Sequence, residues 1–167
     1  PQEIEKLDQM VYTRKRVKRG DSVYRSEEKF GSLYAVRSGF FKTTLIMEDG
    51  RDQVTGFQMT GEILGLDGIS TEAHSCNAIA LEDSEVCAIA FAALSKMALA
   101  VPALQQQMFR MLSSDISRDQ GLMLLLGSMS ADQRLAAFLL RLSRRYQRLG
   151  FAADRRQDQR HGPRARR

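Results

Sequence analysis

Glycines at positions 20, 31, 39, 50, 56, 61 and 65 leave runs of at most ten residues between Gly20 and Gly65. Such runs are shorter than an ordinary helix but match the strands of an all-β sandwich or barrel. The sharpest hairpin signal is "FFKTTLIMEDGRDQVTGF", residues 40–57, where Asp49-Gly50 supplies a pair that accepts the positive φ of a tight turn. Ahead of it, "SLYAVRSG" alternates Leu33 and Ala35 against Tyr34 and Val36 and closes on a Ser38-Gly39 turn. The expectation is a mainly β fold with appended helices: an antiparallel jelly-roll β-barrel over residues 1–100, with strands from about Val11 to Phe91.

The period then changes. From Pro102, well suited to a first helical turn, helical spacing holds through Leu126 and predicts one long helix within 101–127. Ser130 to Gln133 reads S-x-x-Q, a capping box, and opens a second helix within 128–150. That helix carries Leu135, Phe138, Leu139, Leu142, Tyr146 and Leu149 on one face, with Gly150 just past its end. Residues 151–167 hold almost nothing apolar and read as a basic, disordered tail.

Charge follows the same division. The net charge is +5, but from Asp154 onward six Arg stand against two Asp, a balance of +4 that leaves +1 for the rest. A body so close to neutral does not present a nucleic-acid face. The longest apolar run, Val86 to Leu94, is too short to span a bilayer, as is Leu122 to Leu126. Two cysteines without framework spacing point to the reducing cytoplasm. An opening on Pro1 suggests a piece of a longer protein. Enzyme chemistry finds little support: a jelly-roll dioxygenase needs clustered histidines with a carboxylate, and the chain has only His74 and His161.

Two features leave alternatives open. Along the long helix, Met108, Leu112, Ile116, Asp119, Met123 and Leu126 recur at steps of three and four, the rhythm of a coiled-coil seam. Asp119 puts a carboxylate where the seam wants Leu. Either this face packs on the barrel with Asp119 at a wet edge, or it forms a parallel dimer in which two Asp119 repel by about 1 to 4 kcal/mol. The second arrangement is a weak seam that a remote signal can tip. In "SEVCAIAF", residues 84–91, Cys87 alternates with Val86 and Ala88. From pattern alone it is a small buried hydrophobe or one ligand of a larger set. Cys76 reads as structural.

The blocks "SLYAVRSGFFK", "TGFQMTGEILGLDGI", "ALEDSEVCAIAF", "ISRDQGLMLLL" and "RLAAFLLRLSRRYQRLGF" resemble the CRP/FNR family of transcription regulators, in its oxygen-responsive FNR-type branch. The likeness runs from about Lys15 to Phe151. It implies that Cys87 is a ligand of a [4Fe–4S] cluster in the full-length regulator, its three other thiolates coming from a segment before the β domain. None of those three is in this chain, so none of this chain alone is expected to hold a cluster. The resemblance further implies a homodimer seam at Met108, Phe109, Leu112, Ile116, Asp119 and Met123, weak without the cluster. It implies RNA polymerase contacts near Ser38 and around Gly50, and DNA binding only through a helix-turn-helix past Phe151, with no membrane partner.

The nucleotide-binding branch of the family uses a ribose carboxylate just after the glycine matching Gly65 and a phosphate-binding Arg just before the serine matching Ser75. Here Leu66 and His74 stand there. An anion entering the barrel would lack its guanidinium counter-charge, so no cyclic nucleotide is expected. Glu62 reads as a turn-proximal surface acid, and Arg110 and Arg118 flank the seam. The alternative function is a CRP-like regulator whose barrel senses another small molecule.

Overall fold

The computed structural model describes residues 12–47 and 49–148. Eight strands come first: β1 (Tyr12–Val17), β2 (Ser22–Tyr24), β3 (Ser32–Ser38), β4 (Phe40–Ile46), β5 (Asp52–Met59), β6 (Ile63–Leu64), β7 (Asn77–Ala80) and β8 (Ser84–Ala90). A single 3₁₀ turn, Leu66–Gly68, separates β6 from β7, and three helices follow: α1 (Phe91–Ala100), α2 (Pro102–Ser128) and α3 (Ala131–Arg148). Val11, Leu149, Gly150 and the tail at 151–167 lie outside the described residues.

The strands form two antiparallel four-stranded sheets, ordered β1-β8-β3-β6 and β2-β7-β4-β5. That interleaving, with first and last strands paired, is the jelly roll expected from the glycine spacing. Within the first sheet, β1 pairs with β8 from Tyr12 opposite Ile89 to Val17 opposite Ser84, and β8 pairs on its other side with β3. The β4–β5 hairpin closes at Asp49-Gly50. Gly50 has φ 80°, and its amide donates to the Met47 carbonyl at 2.8 Å. The Asp49 carboxylate accepts from the Arg51 amide at 3.1 Å and from Arg51 Nε at 2.8 Å. The same Arg51 contacts hold that carboxyl below its usual range.

Alternation sends side chains of the first sheet to two different interiors. Val36 and its cross-strand partner Val86 turn into the barrel, where they join Val17, Val23, Tyr24, Phe41, Leu64, Cys76, Ala78 and Ala80. Leu33 and its partner Ile89 turn to the outer side. There Leu33 clusters with Phe30 and Leu94, flanked by Ile63, Leu66, Ile69, Ile89, Phe91, Leu104 and Met108. The outer face of this sheet is thus roofed by α1 and the first turns of α2. Phe41 is the largest of the fully buried side chains; its truncation to Ala would cost about 3 to 5 kcal/mol.

The chain separates into two compact units, one through Leu112 and one from Ser113, the division falling inside α2. In the second unit, the capping box read from the sequence is present. The Ser130 amide donates to Gln133 Oε1 at 3.0 Å, and the Gln133 amide to Ser130 Oγ at 3.4 Å. The Arg141 side chain of α3 lies over Gly121, so closely that a Cβ there would sit 2.7 Å from Nη2.

Candidate functional site

A polar cluster built on the half-buried Asp67 joins Tyr24 and Cys76 of the inner core. Tyr24 Oη donates to Asp67 Oδ1 at 3.2 Å, and the Ser75 amide to Oδ2 at 2.8 Å. The Cys76 thiol lies 3.5 Å from the same Oδ2. His74, 3 % exposed, stacks on the Tyr24 ring at 3.7 Å and 12° and meets the edge of Phe30 at 5.6 Å. Its Nδ1 stands 3.5 Å from Asp67 Oδ1 but makes no hydrogen bond. Burial, with Asp67 adding to it, pushes the Cys76 thiol up to about 12. Burial also raises the Tyr24 phenol, with Cys76 and Asp67 contributing after it.

Leu66, at the ribose position, packs into the outer cluster. Glu62 is half-buried rather than a plain surface acid, and its Oε2 accepts from the Met59 amide at 2.9 Å. The sequence reading missed Asp67 as the hub. The available signal was an acid two residues beyond Gly65, with two further polar hydrogens supplied from Ser75 and Cys76.

Cys87 occupies different ground. It sits on β8 between Arg14 of β1 and Ala35 of β3, one position from Val86 and therefore on the opposite, outer face. It is free and half-buried, whereas Cys76 is free and buried. Four thiolates hold a [4Fe–4S] group. Cys87 fits as one of them: it is a free thiol, and the neighbouring Ala35 adds only a methyl group beside it. Cys76 does not fit, because it belongs to the inner cluster and faces Asp67. Among the described residues no group of three or more His, Cys, Asp and Glu side chains gathers to hold a metal ion.

The third place is the long helix. Met108 packs against the outer cluster of the barrel, and Leu112 is half-buried. Phe109, Ile116 and Met123 are 61 %, 58 % and 71 % exposed, at intervals of one heptad, and Asp119 is exposed between the last two. Arg118 pairs with Asp115 one turn away on the same helix, and Arg110 is exposed. The side chain of Leu126 lies outside the described residues. Ser38 is exposed at the end of β3, opposite Glu85, and Gly50 is exposed at the hairpin tip. No helix among the described residues is long and apolar enough to cross a membrane.

The sequence profile of the cyclic nucleotide-binding domain matches residues 14–100, the span of the barrel and α1. The chain belongs to the cyclic nucleotide-binding domain family. Within it, the chain is 44 % identical over 151 residues to the transcriptional regulatory protein btr of Bordetella pertussis, covering 90 % of this chain and 62 % of that protein. It is 40 % identical over 150 residues to the fumarate and nitrate reduction regulatory protein of Salmonella typhimurium, covering 90 % and 60 %. Among solved structures, FixK2 from Bradyrhizobium japonicum aligns with a TM-score of 0.75 at 28 % identity, over 81 % of this chain and 67 % of that one. The family member described here thus spans about three-fifths of the length of its curated relatives. Those relatives are regulators of the CRP/FNR type and not enzymes.

Proposed function

We propose that this chain is the sensory and dimerisation part of a cytoplasmic FNR-type transcription regulator, which senses oxygen through a [4Fe–4S] cluster with Cys87 as one ligand. The observation that carries this is the placement of Cys87: a free, half-buried thiol on the outer sheet face, in a chain homologous to fumarate and nitrate reduction regulators. When bound, such a cluster supplies a centre whose charge and thiolate ligation change on exposure to oxygen. Cys87 holds one corner of it. The same strand continues directly into α1, and Ile89, two residues on, packs in the cluster that also receives Leu104 and Met108 of α2. A displacement at Cys87 therefore bears on the packing at the start of the long helix.

On that helix, Phe109, Leu112, Ile116 and Met123 form the seam with a second copy, and Met108 braces the helix from behind. Asp119 makes the seam weak, so the chain by itself is largely monomeric. The surface turns at Ser38 and Gly50 face RNA polymerase, and DNA is bound by a region beyond the described residues. The inner cluster of Tyr24, Asp67, His74 and Cys76 takes the place of a nucleotide ligand.

The test is iron and acid-labile sulfide per chain in the longer parent regulator, prepared anaerobically, beside the same protein carrying Cys87→Ala. About four of each, lost in the variant, is the expected result. No iron in either would sink the reading and return Cys87 to a structural role.

A further inference from the structure

We propose that Arg14 is a positioning residue for the cluster at Cys87, its guanidinium supplying the counter-charge beside the thiolate-bound group; this rests on the reading of Cys87 given above. Arg14 and Cys87 are direct cross-strand partners, so their side chains leave the same face of the sheet with Cβ atoms about 5 Å apart. Arg14 is exposed. Among the described residues no ion pair engages it. The nearest acid on β8, Glu85, is held by Arg37 at 3.1 Å. The next basic residue, Lys15, is turned away and donates to the Val23 carbonyl at 3.1 Å. On the other flank of Cys87 the partner is Ala35, which brings no charge. The flank toward β1 therefore carries the uncommitted cation.

A centre held by four thiolates is net negative, and its properties follow its charge, its exposure and the hydrogen bonds to its sulfurs. A guanidinium fits that role better than an ammonium, since its fork of N–H donors can address sulfur while its charge offsets the thiolates. Because Arg14 is exposed, the expected effect is modest. One charge about 7 Å away in a water-like medium changes a rate or binding constant about threefold, and salt near 1 M removes most of it.

Two measurements test this. In the present chain, the fast-reacting thiol, absent in Cys87→Ala, is titrated with the dianionic Ellman reagent and with neutral 4,4′-dithiodipyridine. Arg14→Gln should slow the anionic reagent about threefold more than the neutral one, Arg14→Lys should restore most of the difference, and high salt should erase it in the unaltered chain. Equal effects on both reagents, or no salt dependence of the unaltered chain, would overturn the proposal even if a variant folds badly. In the parent regulator, loaded anaerobically with iron and sulfide, Arg14→Gln should release iron to a chelator several-fold faster. A loaded parent whose release rate ignores Arg14 sinks this inference alone. A parent that never takes up iron sinks the reading of Cys87 with it.

Discussion

Asp67 receives the Tyr24 phenol, the Ser75 amide and the Cys76 thiol from three directions, and the free energy of that arrangement depends on pH. In the unfolded chain the thiol ionises around 9, whereas in the fold burial and Asp67 push it up to about 12. Above pH 9 the unfolded state therefore sheds a proton that the folded state keeps. Stability is fully present below pH 9 and declines as pH rises toward 12. The urea midpoint should fall between pH 8.5 and 10.5, and Cys76→Ala should flatten that fall; an unchanged slope would remove Cys76 as its cause. Gly39 makes a second residue-scale prediction. Its φ is 98° and an added Cβ would overlap the Ser84 side chain, 2.9 Å from Ser84 Cα. Gly39→Ala should cost about 2 kcal/mol or more in denaturant unfolding, whereas Gly31→Ala, with nothing nearby, should cost far less.

At the scale of elements, the capping box gives a clean case. Ser130→Ala removes the acceptor for the Gln133 amide and should cost about 1 kcal/mol of α3 stability, read as lost helicity on heating, while Ser130→Asp should retain it. This cap and the Asp49-Gly50 hairpin were legible in the sequence because each rests on contacts between near neighbours. The long helix was legible as a helix, but not its faces. Met108 and Phe109 are adjacent, and spacing alone could not say which packs inward. The outer cluster decides it, claiming Met108 and leaving Phe109 exposed. Cys87 was ambiguous for a related reason: alternation separates it from Val86, but only the roof of α1 and α2 shows that both faces of β8 have an interior nearby. Asp67 was missed because its partners come from Tyr24, 43 residues away, as well as from its own loop. For the seam itself, Asp119→Ala should shift the chain from monomer toward dimer in sedimentation at micromolar concentration. An unchanged mass would remove Asp119 as the element that weakens association.

For the whole molecule, Leu66 and His74 at the ribose and phosphate positions predict that cyclic AMP and cyclic GMP, titrated calorimetrically to millimolar concentration, produce no saturable heat. A saturable isotherm for either would show that Tyr24 and His74 can be displaced, and would favour a small-molecule sensor. The jelly-roll path has one more effect. Its first strand is hydrogen-bonded to its last, so Tyr12 stands opposite Ile89, two positions and roughly 7 Å along the strand from Cys87. Whatever chain leads into Tyr12 is thereby tethered beside the thiol. On the proposed reading, thiolates carried a short way upstream would meet Cys87 at effective concentrations on the order of millimolar, making assembly there intramolecular, and a longer tether would weaken it only slowly.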